Sequence, residues 1–289
     1  MNQNDFKKEM VEYISDTYDE FTECQAIVKD IFRVFHRIAC SHGITYAQIK
    51  GSLLGIIRDG GVIPWDYDMD ICVPYHQIHT LISILEQELP EGYFVISNYT
   101  DKKFPYYQTR IGNVKYDVNF IHLDIFYLCG APAENQQDFK KKVRKAFSDR
   151  SRKFFVKYAH PDTVGSKTYY YWQKFSYGIK LLFTSVGSLD KRLNKYLTMY
   201  DMNSAQYYMI VENDACIFKK SDFEPCVPKK IGADEYMIPQ NPDAILKTMY
   251  SDYHAYLSVH SRFGEMYYRI EQYRKSTGKL KKETFRSET

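Results

Sequence analysis

The chain of 289 residues has little that would staple it, carry it across a bilayer or hold a polyanion by bulk charge. Its six cysteines (Cys24, Cys40, Cys72, Cys129, Cys216 and Cys226) are scattered, and no two form a CxxC pair. That spacing indicates neither a structural zinc site nor a disulfide framework, so reduced thiols and a cytoplasmic setting are expected. No uncharged apolar run approaches the ~20 residues that a membrane-spanning helix needs. Residues 1–20 are polar and rather acidic, unlike a secretory signal, so ordinary export is not expected. Net charge is only +3 and no nucleic-acid motif accompanies it, which removes nucleic acid from the expected partners. Internal repeats and low-complexity linkers are absent too. A chain of this length buries roughly three-quarters of its unfolded surface, enough for one large or two small domains.

What is present is concentrated in two segments. Gly51-Ser52-Leu53-Leu54-Gly55 follows an apolar stretch and precedes Trp65-Asp66-Tyr67-Asp68-Met69-Asp70-Ile71. A strand running into a Gly-Ser turn and an apolar helix start offers backbone N–H groups to a phosphate. Asp66, Asp68 and Asp70 stand at i, i+2 and i+4, so on a strand their carboxylates share one edge of the sheet. Carboxylates that close repel one another, and a hard divalent cation relieves the repulsion. A phosphate cradle beside a metal-binding acidic strand is what phosphoryl or nucleotidyl transfer requires.

Three other readings apply to the acidic run. A solvated acidic turn is the plainest. A calcium loop of EF-hand type fails, because its sixth position would be Ile71 rather than Gly and its twelfth Gln77 rather than Glu. The Asp-x-Asp of a sugar-nucleotide glycosyltransferase explains the acids but not the Gly-Ser turn before them.

A further apolar run, Phe120 to Leu128, is interrupted by His122 and Asp124, two residues apart and on one face. An Asp in such a strand is expensive to bury unless it is paired or metal-bound. The alternative is an Asp at a strand end that bonds a turn. Arg58 and Arg110 are candidates for gripping phosphate oxygens, because a guanidinium meets them bidentately.

Periodicity predicts helices over 20–41, 52–58, 75–88, 242–250 and 253–274, with a mostly helical stretch over 167–199. Strands are expected at 44–49, 69–73, 93–98, 106–111, 114–120 and 123–128, with short strands over 207–218. The fold class is therefore α/β, a catalytic core with helical additions. From Phe139 to Lys157 nine Lys or Arg residues accompany one Asp, interleaved with apolar residues. As a helix this segment suits an anionic membrane, and a peripheral contact through 139–157 is expected beside the alternative of a solvated face. Residues 274–286 add six more basic side chains. The 27 tyrosines suit a sugar- or membrane-facing surface, and equally an ordinary core.

These residues together resemble the nucleotidyltransferase superfamily and, more closely, the LicD family of bacterial phosphocholine transferases and fukutin-type ribitol-phosphate transferases. The resemblance rests on Gly51 to Gly55, Arg58, Ile63-Pro64-Trp65-Asp66, Asp68, Asp70 and His122 to Phe126. Phe223 to Pro225, Ile238-Pro239 and Leu246 to Tyr253 resemble the family's closing segment, with Ser251 where its Tyr-Gly-Asp-Tyr-like signature has Gly. Tyr67, Met69 and Tyr127 also depart from the usual pattern, without removing a carboxylate.

The resemblance implies a nucleotidyltransferase-like mixed sheet core over 44–130, after a helical segment 1–43. A basic helical insertion at 131–206 and closing strands and helices at 207–289 complete it. It implies Asp68 and Asp70 as catalytic metal ligands for Mg²⁺ or Mn²⁺, with the catalytic Asp124 either completing a second metal site or taking the proton from the attacking sugar hydroxyl. Gly51, Ser52, Arg58 and Arg110 would sit on the donor phosphates, with Asp66, His122 and Asp252 in support. The implied donor is a CDP-activated alcohol such as CDP-choline, CDP-ribitol or CDP-glycerol. The acceptor would be a sugar hydroxyl of a glycan or lipid-linked glycan in lipopolysaccharide, teichoic acid or capsule, at the inner face of the plasma membrane. Two alternatives stay open: NMP transfer from an NTP to a small acceptor, and a non-catalytic scaffold of glycan assembly.

Overall fold

Helix α1 (Ser15–Ser41) forms because Phe21, Cys24, Val28, Ile31, Phe32, Phe35 and Ile38 recur at three- and four-residue steps, and all are buried. The protein is described as a computed structural model over residues 15–159, 166–212 and 214–277. The predicted polar N-terminus up to residue 14 and the basic run beyond residue 277 lie outside the described residues. The chain divides into two compact units, residues 1–96, 109–126 and 221–289 in the first and 97–108 and 127–220 in the second.

In the first unit, β1 (Ala47–Gln48) pairs antiparallel with β2 (Met69–Pro74), Gln48 opposite Ile71. Between them come helix α2 (Lys50–Leu54) and a π-helical turn, Gly55–Asp59, which ends at Gly60 with φ of 74°. Only glycine adopts that left-handed cap without strain. Helix α3 (Tyr75–Glu88) starts directly after Pro74. Strands β3 (Tyr93–Ser97), β4 (Thr109–Asn113) and the first half of β5 (His122–Ala131) continue a mixed sheet in the order β1-β2-β5-β4-β3. Antiparallel β4 and β5 put Arg110 opposite Asp124. The α/β class read from the sequence is the observed one.

The unit closes with an antiparallel hairpin, β8 (Val227–Ile231) and β9 (Asp234–Ile238), followed by two further helices, α8 (Pro242–Met249) and α9 (Val259–Thr277). Asp234 in that hairpin meets Lys29 at 2.5 Å and Arg33 at 2.7 Å on α1. Met266, Ile270 and Tyr273 form the buried stripe of α9.

In the second unit, β6 (Tyr207–Ile210) pairs with Leu128–Ala131 of β5 and with β7 (Cys216–Lys219). The short helix α7 (Lys220–Phe223) follows. Helix α4 (Gln136–Tyr158) packs against α5 (Lys167–Lys180) and α6 (Val186–Leu197). Buried Phe139, Val143 and Ala146 of α4 meet a face of α6 bearing Leu189, Leu193 and Leu197. Arg150, 2% exposed, is satisfied by Asp190 at 2.7 Å and by the carbonyls of Phe104 and Pro105.

Three expectations change. Residues 114–120 form turns rather than a strand, because Asp117 accepts from Asn119 N at 2.9 Å and its carbonyl from Phe120 N and Ile121 N. The helical stretch after 167 is two helices, the second started by a Ser185–Ser188 capping box. The hairpin 227–238 was not foreseen, since its strand β8 contains Pro228, Lys229 and Lys230. The apolar residues Phe139, Val143 and Ala146 of the basic helix α4 are packed inside the unit. Among the described residues no helix is long and apolar enough to cross a membrane.

Candidate active site

The acidic run does not lie along one strand. Strand β2 begins at Met69, so Asp66 and Asp68 stand in the loop before it and only Asp70 is in the sheet. The reason is Pro64, which suits the second position of a β-turn closed by Asp66 N donating to Ile63 O at 3.0 Å. Trp65, 4% exposed, anchors the turn in the core. From α1, Gln25 Nε2 donates to the carbonyls of Ile63 at 3.2 Å and Asp66 at 2.7 Å, closing the loop over its own backbone.

The Gly-Ser turn is tied to the acidic strand. Ser52 Oγ accepts from Asp70 N at 2.7 Å, and Ile49 N donates to Asp70 O at 3.1 Å. Lys50, immediately before Gly51, has φ of 52°, a conformation a lysine adopts only at a cost of order 1 kcal/mol. Its Nζ stands 3.9 Å over the Phe126 ring. Gly51 is closely approached: a Cβ there would meet Asp66 Oδ2 at 3.3 Å, so that carboxylate would have to give by a few tenths of an ångström. Gly55 is more constrained, since its Cβ would lie 2.8 Å from Ile63 N and close on the Gly61 carbonyl. Gly55→Ala is therefore expected to cost about 1–3 kcal/mol, read as a lower denaturation midpoint at unchanged slope.

The carboxylates are held by cations from distant parts of the unit. Arg269 on α9 sets Nε 3.0 Å from Asp66 Oδ1 and Nη1 2.8 Å from Asp68 Oδ2. Burial and the Asp68 charge push the Asp66 carboxyl well above its ordinary range. Burial works against the Asp68 charge also, but Arg269 outweighs it and holds Asp68 below the usual value. Arg269 is held cationic: burial opposes its charge, and the Asp66 and Asp68 carboxylates overcome that opposition. Asp124, 9% exposed, receives Arg110 Nε at 2.7 Å and has His122 Nε2 at 3.3 Å. Burial alone would raise its carboxyl, yet His122 and then Arg110 carry it far below the ordinary range.

The sign of that last shift sets a pH dependence. A carboxylate whose folded pKa is depressed stabilises the fold above its unfolded value of about 3.9. The contribution disappears as pH falls through the folded value. Asp124→Asn in EDTA is expected to flatten the acid limb of stability below about pH 4, followed by melting temperature against pH.

Several site residues foreseen from sequence sit here with partners inside the protein. Arg110 faces Asp124. Arg58 bonds Asp59 at 2.9 Å and stacks between Trp65, at 5.5 Å, and Tyr256, at 4.5 Å. Asp252 accepts from His254 N at 3.2 Å, which shapes the loop before α9. Arg58, Asp252, Gly51, Asp66, Trp65 and Arg269 line one cleft of about 340 Å³, a size suited to a small-molecule ligand. Arg269 and Gln25 were missed. Arg269 lies 201 residues from Asp68, and one basic residue in an amphipathic helix carries no local signal.

The donor set fits a hard divalent cation in its chemistry. Asp66 Oδ1 is buried with no aligned hydrogen-bond donor, although Arg269 Nε is close to it. Asp66 feels the charge of Asp70, and Asp68 that of Asp124, so all four carboxyl groups belong to one electrostatic cluster. Among the described residues no three His, Cys, Asp or Glu side chains close to ligating distances, and Arg269 supplies positive charge to Asp68.

The structure brings together a Gly-Ser turn pinned to an acidic strand and a further carboxylate on the adjoining strand. Residues 43–163 match the family described as LicD/FKTN/FKRP, nucleotidyltransferase domain. The chain is also similar to the lipopolysaccharide cholinephosphotransferase LicD of Haemophilus influenzae, at 23% identity over 249 residues, 80% of this chain and 90% of the relative. The matched region includes Gly51, Ser52, all four acidic residues, Arg110 and His122, whereas Arg269 lies beyond it.

Proposed function

We propose that this protein transfers a phospho-alcohol from a CDP-activated donor to a sugar hydroxyl of a cell-surface glycan, releasing CMP. The observation that carries the reading is the cluster of Asp66, Asp68, Asp70 and Asp124 beside the Gly51-Ser52 turn, within the LicD-type region. The similarity to a cholinephosphotransferase supports choline as the first alcohol to test.

Asp68, Asp70 and Asp124, with Asp66 in support, would hold Mg²⁺ or Mn²⁺. When bound, such an ion neutralises charge on a donor diphosphate and on the departing phosphate. Arg110 and His122 keep Asp124 an anion, which suits a ligand and makes it a poor proton acceptor near neutral pH. Ser52 fixes the backbone of Asp70, so the turn and the acidic strand hold one geometry. Arg58, stacked on Trp65, lines the cleft and offers a guanidinium to a donor phosphate. The inner face of the plasma membrane is where a CDP-alcohol and a lipid-linked glycan would meet.

The test is CMP release with Mg²⁺ from CDP-choline, CDP-ribitol and CDP-glycerol separately, each with glycan acceptors and with an EDTA control. Metal-dependent CMP from one donor supports the reading and names the alcohol. Pyrophosphate from an NTP, with no CMP from any CDP-alcohol, would replace it with nucleotidyl transfer.

A further inference from the structure

Helix α5 carries its apolar side chains on the wrong side for a core. Trp172, Phe175 and Ile179, at i, i+3 and i+7, share one face and are 63%, 70% and 61% exposed. Leu182 and Phe183 prolong the patch in the turn that follows, at 65% and 97% exposure. The opposite face of the same helix is the packed one. There Tyr170 is buried with its ring 5.5 Å from Phe155 of α4, and Tyr177 lies 6.1 Å from that ring.

Exposed aromatic and aliphatic residues in a continuous stripe are what soluble surfaces avoid, and they mark an interaction face. The charge around the stripe says what kind. Helix α5 contains three lysines, Lys167, Lys174 and Lys180, and no acidic residue. Exposed Lys157 in the last turn of the neighbouring α4 adds to them. An apolar face with a Trp, flanked by lysines without a balancing acid, is the composition of a helix lying in a lipid headgroup layer.

We propose that this α5 face docks on an anionic phospholipid bilayer, with Trp172, Phe175, Ile179 and Phe183 inserted at the headgroup boundary and the flanking lysines on lipid phosphates. The face is distinct from the packed apolar side of α4, and the docking holds whichever alcohol the protein transfers.

The chain offers an internal reporter, because it has only two tryptophans and the other, Trp65, is 4% exposed. Full-length protein is mixed with phosphatidylglycerol–phosphatidylethanolamine vesicles or with phosphatidylcholine vesicles, and both flotation and tryptophan emission are read. The expected result is flotation with the anionic vesicles alone, a blue shift of emission, and loss of both in 0.5 M KCl (roughly, as screening at that ionic strength demands). Lys167→Gln with Lys180→Gln should weaken binding about fivefold per lysine. Phe175→Ser with Ile179→Ser should abolish flotation while Trp172 remains as reporter.

Three results would overturn the proposal. One is no flotation with anionic vesicles at low salt, and another is equal flotation with phosphatidylcholine. The third is a blue shift without lipid that grows with protein concentration and disappears in the serine variant, which would make a second copy the occupant.

Discussion

Asp70→Asn is expected to reduce metal-dependent CMP release by roughly a thousandfold, the scale on which one preorganised charge-stabilising group acts. The substitution is isosteric and leaves the main-chain ties intact, because Ser52 Oγ and Ile49 N bond the backbone of residue 70 and not its side chain. Melting temperature should therefore move by only a few degrees, while Mg²⁺ affinity measured by calorimetry falls in parallel with activity. Retained activity would remove Asp70 from the site. A large loss of stability along with activity would make its role structural.

Arg269→Met should produce the largest effect on the fold, and a conditional one. Without metal, Arg269 is the cation shared by Asp66 and Asp68, whose side chains are 19% and 28% exposed. Removing one partner of a mostly buried pair leaves uncompensated charge, and about 2–3 kcal/mol is expected here. For a chain of this size that corresponds to roughly a 4–12 °C lower melting temperature in EDTA. Mg²⁺ should restore most of it, because an ion can take the charge that the guanidinium supplied. It should also bind at least tenfold more tightly to the variant, since its competitor is gone (about 1.4 kcal/mol per factor of ten). Unchanged or weaker Mg²⁺ affinity, read by calorimetry, would refute Arg269 as a competitor for the acidic cluster.

Much of the fold was legible because it is written in local periodicity. The three- and four-residue apolar steps of α1 and the break at Gly60 both mark their elements without reference to the rest of the chain. The run from Tyr75 to Glu88 was read to the residue, since Pro74 ends one element and opens the next. The hairpin of β8 and β9 was not legible, because its lysines and proline read as a loop until β9 packs Tyr236 and Ile238 inward.

The candidate site divides the same way. The residue types of the chemistry, a Gly-Ser turn, closely spaced acids and an Asp beside a His in an apolar strand, could be named from the chain alone. Their spacing also pointed to charge repulsion that something must relieve.

Which group relieves it was decided by tertiary structure. Arg110 reaches Asp124 through strand register, and Arg269 reaches Asp66 and Asp68 from a helix about two hundred residues away. Pro64 and Trp65 keep Asp66 and Asp68 in the loop before β2, off the single strand on which alternation would align all three acids. Sequence determines which groups a chain owns and how neighbours along it alternate. Pairing of charges depends on distance in space, where a few ångströms and the loss of water separate a strong ion pair from none.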